Sequence, residues 1–279
     1  MATEDREDPV LILAHHTIPK AGFEERVRAA ALAGYDGIGL NFTGYRQCRD
    51  SGLSDDEMAA VLADHDQRIL EIEALRGWSA SGEARRRSDR LADLAFDLAE
   101  RFGVPYLQAI GPYEGTLDHA AAEFAALCDR AADHQMVVGL EFLPRISNIA
   151  DLATARQIVE AAARANGGVC VDAWHFIRGT ADWDALADVP PDLVRSVQID
   201  DGTLVPEDPD YLRDTLTNRR VPGQGEFQLE RLIRILDGAG CTAPISVEVI
   251  NRRLEELPAA DVATLTLRAT RELLAAARS

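Results

Sequence analysis

The sequence predicts an α/β fold: one (β/α)8 TIM barrel spanning residues 1–279, with a long loop after strand seven. Three observations predict it. Eight short apolar runs alternate with longer amphipathic stretches from one end of the chain to the other, the pattern of parallel β/α units. The 279 residues divided by eight give about 35 per unit, which suits a closed barrel. An open doubly wound sheet would be expected to carry a G-x-G-x-x-G turn after its first strand, and none is present.

The elements follow in order. Val10–Ala14 is the first apolar run, and Glu24–Ala33 the first helix. Gly37–Asn41 and Ile69–Leu75 are the next two strands, separated by a helix through Asp55–Asp66. Ala84–Phe102 reads as a long helix, Tyr106–Ile110 as strand four, Ala120–His134 as a helix and Met136–Phe142 as strand five. Helix Ala150–Ala165 leads to strand six, Gly168–Asp172, and a short helix near Ala181–Ala187 leads to strand seven, Val194–Asp200. The irregular stretch Asp201–Phe227 precedes helix Gln228–Ala239, strand Ile245–Ile250 and a closing helix Asp261–Ala277. Gly34, Gly103, Gly167 and Gly240 stand where helices should stop before strands two, four, six and eight. No linker or composition shift divides the chain.

Composition excludes several classes of partner. Lys and Arg number 29 against 47 Asp and Glu, a net charge of −18, so a phosphate backbone or an anionic membrane would repel the chain. No apolar run approaches the ~20 residues of a membrane span. The start, MATEDREDP, has neither the basic nor the apolar region of a signal peptide. Cys48, Cys128, Cys170 and Cys241 lie far apart, as reduced thiols in a cytoplasm do. A small-molecule partner is expected, and the sequence is compatible with a homo-oligomer.

A barrel carries its chemistry at the C-terminal ends of its strands. Strand five ends Val138-Gly139-Leu140-Glu141 and strand six Val169-Cys170-Val171-Asp172; strand seven carries Ser196-Val197-Gln198-Ile199 and strand eight Ser246-Val247-Glu248-Val249. Each places one oxygen-bearing side chain late in an apolar strand. Residues two apart share a face. The residue before each polar one is bulky (Leu140, Val171, Val197, Val247), and the residue two before is small (Gly139, Cys170, Ser196, Ser246). If the four polar side chains point inward, the small layer beneath leaves room at the mouth for an ion and a ligand. Three converging carboxylates need a cation to stay ionised together. An all-oxygen set of Glu141, Asp172, Gln198 and Glu248 suits a hard divalent ion, Mg²⁺ or Mn²⁺, better than Zn²⁺. Such an ion grips a carbonyl and a neighbouring hydroxyl, and two carboxylates then remove and return a proton.

The motifs GLEF at Glu141, VDAWH for Asp172 and His175, SVQIDD at Gln198, NRRVPGQGEF over 218–227 and SVEV at Glu248 resemble the xylose-isomerase-like TIM barrels of sugar isomerases and epimerases, over nearly the whole chain. The resemblance implies one divalent metal held by Glu141, Asp172, Gln198 and Glu248, with Glu141 and Glu248 also carrying protons. It implies that His175 and Arg219 contact substrate oxygens. The epimerase branch has His in an H-x-K-D run where this chain has Gln198-Ile199-Asp200-Asp201. Gln at that ligand position resembles hydroxypyruvate isomerases and 3-dehydroshikimate dehydratases. The reading is therefore a metal-dependent sugar or keto-acid isomerase or epimerase, with a dehydratase of the 3-dehydroshikimate type as the alternative. The DNA-repair enzyme endonuclease IV shares the barrel, but its several-metal cluster needs many histidines, and only His175 falls in a matching motif.

Around the mouth, His15 and His16 follow strand one, and His16 is taken as a substrate contact. Trp174 is taken as a ring-stacking residue. Asn41, Arg76, Trp78, Arg145 and Asn148 occupy other strand ends or loops, where packing and surface ion pairs compete with a role in binding. Pro222-Gly223-Gln224-Gly225 reads as a turn whose close backbone approach lets Arg219 reach back over the pocket. The stretch Asp201–Phe227 is too long for an ordinary βα connection and reads as a lid.

Overall fold

The computed structural model describes residues 8–279; the acidic start of the chain lies largely outside the described residues. Its elements are β1 (Leu11–Leu13), α1 (Phe23–Ala33), β2 (Gly37–Asn41), α2 (Phe42–Asp50), α3 (Asp55–Asp64), β3 (Ile69–Leu75), α4 (Gly82–Phe102), β4 (Tyr106–Ile110), α5 (Leu117–Asp133) and β5 (Val137–Glu141). There follow α6 (Leu152–Ala162), β6 (Gly167–Asp172), α7 (Ala173–Arg178), α8 (Trp183–Ala187), β7 (Val194–Ile199), α9 (Tyr211–Thr215), α10 (Leu229–Gly238), β8 (Ile245–Val247) and α11 (Ala259–Arg278). The strands pair in sequence order, all parallel, and β8 closes on β1 with Ile12 opposite Ser246. This is the (β/α)8 barrel that the alternation predicts. Among the described residues no helix is long and apolar enough to cross a membrane.

Two strands run into helices without a loop. Asn41 ends β2 and its side chain accepts the Gly44 N–H at 2.6 Å, capping α2. Asp172 ends β6 and accepts the His175 N–H at 3.0 Å, capping α7. Of the four helix-stopping glycines, Gly34 and Gly103 are left-handed C-caps, and Gly240 also has positive φ. Gly167 is a correction: it lies inside β6, and Ala163 takes the left-handed position after α6. Gly167 serves packing, because a Cβ there would meet Phe124 at 3.0 Å and Cys128 at 3.1 Å.

The segment between β7 and α10 holds α9 and is tied down by one carboxylate. Asp201 accepts backbone N–H groups from Gly202, Gly223, Gly225 and Phe227, at 2.8–3.0 Å. Gly223 has φ +80°, and a Cβ on Gly225 would lie 2.2 Å from Asp201 Oδ1, so the turn needs both glycines. Asp201 also pairs with Arg220 in an antiparallel bridge, which turns Arg219 the other way, into the barrel.

Candidate active site

Arg219 is 2% exposed and sits among three carboxylates. Its Nη1 lies 2.8 Å from Asp172 Oδ2 and 3.0 Å from Glu248 Oε2, and it also donates to Asp200 Oδ2. The burial that opposes its charge is outweighed by Asp172, Asp200 and Glu248, which keep the guanidinium firmly protonated. Asp172 gains in turn: burial pushes its carboxyl up, but Arg219 and His175 hold it below the usual range. Glu248 ends up above the usual range because burial exceeds the help from Arg219 and His16. Asp200 is raised well above it by burial, against the pull of Arg219, and its Oδ1 is buried without a partner.

On one side of this knot stand Glu141 and His175. His175 Nε2 is 3.6 Å from Glu141 Oε1, and His175 Nδ1 meets the Tyr211 hydroxyl of α9 at 2.7 Å. Burial, then Asp172 and Glu248, raise Glu141 well above an ordinary carboxyl. Burial lowers His175 to about 4 despite Asp172, with Arg219 adding to the fall, so the ring is neutral near pH 7. With its one proton on Nε2, facing Glu141, the ring can accept the Tyr211 hydroxyl proton at Nδ1.

On the other side, His16 Nδ1 lies 3.2 Å from Glu73 Oε2 and 3.3 Å from Glu248 Oε1. Burial opposes a charge on His16, but hydrogen bonds to Glu248 and Glu73 raise it to about 10. The Asn41 amide works against that second proton. Its Oδ1 is committed to the Gly44 N–H, so Nδ2 faces His16 Nε2 at 3.2 Å. The Nδ1–H form satisfies all three neighbours. Glu73 is lowered to about 2, because the His16 hydrogen bond and charge exceed the burial penalty. Below it, Glu71 accepts from the Ser246 hydroxyl at 2.5 Å, and burial beside Glu73 raises its pKa strongly.

The structure thus gathers Glu141, Asp172, Glu248, His175, His16 and Arg219. Gln198 points inward from β7, but its Oε1 accepts from Gln108 Nε2 at 3.2 Å and from the Cys170 thiol at 3.5 Å. Two expectations need correction. Trp174 does not line the mouth: it is fully buried beneath Arg178 and Phe227, with Nε1 bonded to Thr215 Oγ1 at 3.0 Å. The layer of small residues is not open either. A Cβ on Gly139 would lie 2.1 Å from Tyr106 Oη, and Glu71 and Gln108 fill the space beside Ser246 and Cys170. Strands β3 and β4 supply the bulk that β5 to β8 omit. Trp78 is packed, with its Nε1 on the Ile110 carbonyl, and Arg76 is exposed.

Sequence reasoning missed Glu71, Glu73, Gln108 and Tyr211. The parity rule finds the first two, since Glu71 and Glu73 alternate with Leu70, Ile72 and Ala74 and so share the inward face.

The donor set fits a divalent cation. Six carboxylates, Glu71, Glu73, Glu141, Asp172, Asp200 and Glu248, are each at most 6% exposed, and the guanidinium of Arg219 stands among three of them. Ligand atoms of Glu141, Asp172 and His175 lie within 4.8 Å of one another, as do those of His16, Glu73 and Glu248. Carboxylate oxygens in surplus over positive charge are what a hard cation requires.

Residues 27–273 match the model of the xylose isomerase-like TIM barrel. The chain belongs to that family. It is 26% identical over 239 residues to a 3-dehydroshikimate dehydratase of Pseudomonas aeruginosa and 24% identical over 248 residues to one of Pseudomonas putida. Each match takes in 84% of this chain but only 37% of the relative, so the family barrel is a little over a third of those proteins. Among solved structures, the IolI protein with a bound zinc atom superposes with a TM-score of 0.86 at 20% identity, over 95% of this chain and 98% of that one. At that identity the likeness concerns the fold.

Proposed function

We propose that this chain is a metal-dependent enzyme that takes a proton from a carbon next to a carbonyl of a small hydroxylated substrate, and that a β-hydroxyl then leaves as water. The observation that carries the reading is the pair Glu141 and His175, a carboxylate of raised pKa 3.6 Å from a neutral imidazole. The two curated relatives support dehydration as the outcome.

Glu141, Asp172 and Glu248, with Gln198 as fourth donor, would hold the cation, Mg²⁺ or Mn²⁺ by their oxygen chemistry. When bound it acidifies the C–H beside a carbonyl. The protein groups do the rest. Glu141, whose burial beside Asp172 and Glu248 raises its affinity for a proton well above that of an ordinary carboxylate, is the base. The departing hydroxyl takes the proton that Glu141 has collected and leaves as water, while the His175 Nε2–H donates a hydrogen bond to it and Tyr211 fixes the ring. Arg219 orients substrate oxygens at the mouth, and His16 steadies Glu248. The substrate is a small molecule, since the acidic surface repels nucleic acid.

A second reading, isomerisation or epimerisation, is favoured by Glu248. It is a second carboxylate of raised pKa, held between Arg219 and His16 on the far side of Asp172, where it could return the proton. Incubation in D₂O with 3-dehydroshikimate, ketoses and hydroxypyruvate-like acids separates the two. Dehydration gives a product lighter by one water with a new enone absorbance. Deuterium at carbon in a product otherwise unchanged in mass supports isomerisation, and no turnover or exchange with any of them overturns both.

A further inference from the structure

Outside the barrel, a cavity of about 670 Å³ opens between the segment that carries Arg219 and the turn after β8. Its charged lining is Glu207, Asp208, Arg213, Arg220, Arg252 and Arg253. Arg213 is spent on Asp208, with contacts of 2.5 and 2.9 Å, and Arg220 on Glu207 at 2.7 Å. Arg252 and Arg253 are exposed, and among the described residues neither side chain has a hydrogen-bond or ion-pair partner. Four arginines against two carboxylates leave a local charge of +2 on a chain whose net charge is −18.

We propose that this cavity is a binding site for a small molecule carrying two or more negative charges, a phosphate or a multiply charged carboxylate, separate from the barrel mouth. The volume lies within the ~300–1,000 Å³ of small-molecule pockets. Two unpaired guanidinium forks present the donor geometry that carboxylate and phosphate oxygens take in pairs. Both carboxylates of the lining are paired to arginines, which leaves the excess charge for an anion, and a nucleic acid would meet the repulsion of a chain of net charge −18.

The floor of the cavity gives its occupancy a consequence. Asn218 and Asn251 form an antiparallel bridge, the Arg219 N–H donates to the Ile250 carbonyl at 3.1 Å, and the Arg252 N–H to the Thr217 carbonyl at 3.2 Å. The Asn251 amide donates to the Arg219 carbonyl at 2.7 Å. An anion gripped by Arg252 and Arg253 and lying against Thr217 and Asn218 touches both sides of this ladder and so braces the backbone from which Arg219 reaches inward. The ligand is thus a regulator of the segment, not a substrate.

The test needs no turnover. Titration calorimetry of the full chain with sodium phosphate and, separately, with sodium citrate at low ionic strength should show saturable binding of one or both, and which of them binds identifies the ligand chemistry. The double variant Arg252→Gln, Arg253→Gln should weaken it by about tenfold or more, with metal content by elemental analysis unchanged. Hydrogen exchange of peptides covering 217–220 and 250–252 should slow when the anion is present. No saturable binding of either anion up to about 10 mM, the weak end of small-molecule affinity, would overturn the proposal. So would equal binding by the double variant, which would locate the anion elsewhere.

Discussion

Replacing Arg219 by alanine should expose how the mouth balances its charge. The guanidinium is the group shared by Asp172, Asp200 and Glu248, all nearly inaccessible to water. Removing one partner of a buried ion pair costs about 3–5 kcal/mol, because the remaining charge is left desolvated and unpaired. For a chain of this size each kcal/mol moves Tm by roughly 2–4 °C, so the variant should melt roughly 10 °C lower in the presence of a chelator. The loss should depend on pH. Arg219 depresses the Asp172 pKa, so that pair stabilises the fold above the unfolded Asp value of about 3.9 and fades as pH falls through the lower folded value. The gap between wild type and variant should therefore be full near pH 8 and shrink toward pH 3. A divalent cation should restore part of the loss, since the same oxygens are left free to take it. Arg219→Lys should recover less than half, because the shorter side chain draws its charge back from the three carboxylates that meet Nη1. Calorimetric melting with chelator, then with Mg²⁺ or Mn²⁺, measures all of this. An Arg219→Ala protein that melts within about 1 °C of wild type at pH 8 in chelator would mean that the carboxylates do not depend on the guanidinium.

The other residues separate by readout. Asp172→Ala should lose metal in elemental analysis, whereas Glu248→Gln should keep it and, in the isomerisation reading where Glu248 returns the proton, lose turnover by orders of magnitude; retained isomerisation in Glu248→Gln would remove its role in proton transfer. Gly139→Ala should cost about 1–3 kcal/mol by overpacking, since the new Cβ would lie 2.1 Å from Tyr106 Oη. Adding Tyr106→Phe should return part of that stability in urea denaturation, and no recovery would place the strain elsewhere. His175, lowered to about 4 against an unfolded value near 6.5, contributes stability that is complete above pH 6.5 and falls by about 3 kcal/mol as pH drops toward 4. His175→Gln should flatten that part of the denaturation profile, and an unchanged slope would assign the effect to another group.

The strands were legible because their residues are apolar in short runs: β2, β3 and β4 fall on the residues that the sequence marks, and the others differ at their ends. Helices α2 and α7 were not, for one shared physical reason. Each begins at the residue after a strand end, and its cap is the strand's own last residue, Asn41 or Asp172, so no turn residues separate the two elements. Asp172 was legible as a polar strand end; its second duty, holding the α7 N-terminus with Oδ1 while Oδ2 meets Arg219, was not. Arg219 could be nominated from the NRRVPGQGEF motif. That it turns inward while Arg220 turns outward follows from the Asp201–Arg220 bridge, which only the folded chain displays. Glu71 and Glu73 are readable by the same parity that marks Glu141, since both stand on one face of the strand Ile69–Leu75. Trp174 shows the opposite error, since a large ring next to a catalytic motif is needed to fill the space under the loop.

Gln198 ties these layers together. A charged or basic side chain at that position would join the carboxylate knot directly, whereas a neutral amide can also bond downward. Its Oε1 takes donors from Gln108 and Cys170, at 3.2 and 3.5 Å, and so forms an uncharged polar layer within the barrel. Turning that oxygen toward a cation would give up these two long hydrogen bonds, about 1–3 kcal/mol in all. The three carboxylates already stand together, because Arg219 draws Asp172 and Glu248 to one nitrogen and Asp172 raises Glu141 from close by. A cation would thus meet the carboxylates first and the amide last. The affinity of such a site would then rest on the acidic residues, and residue 198 would tune the charge and the polarity beneath the ion.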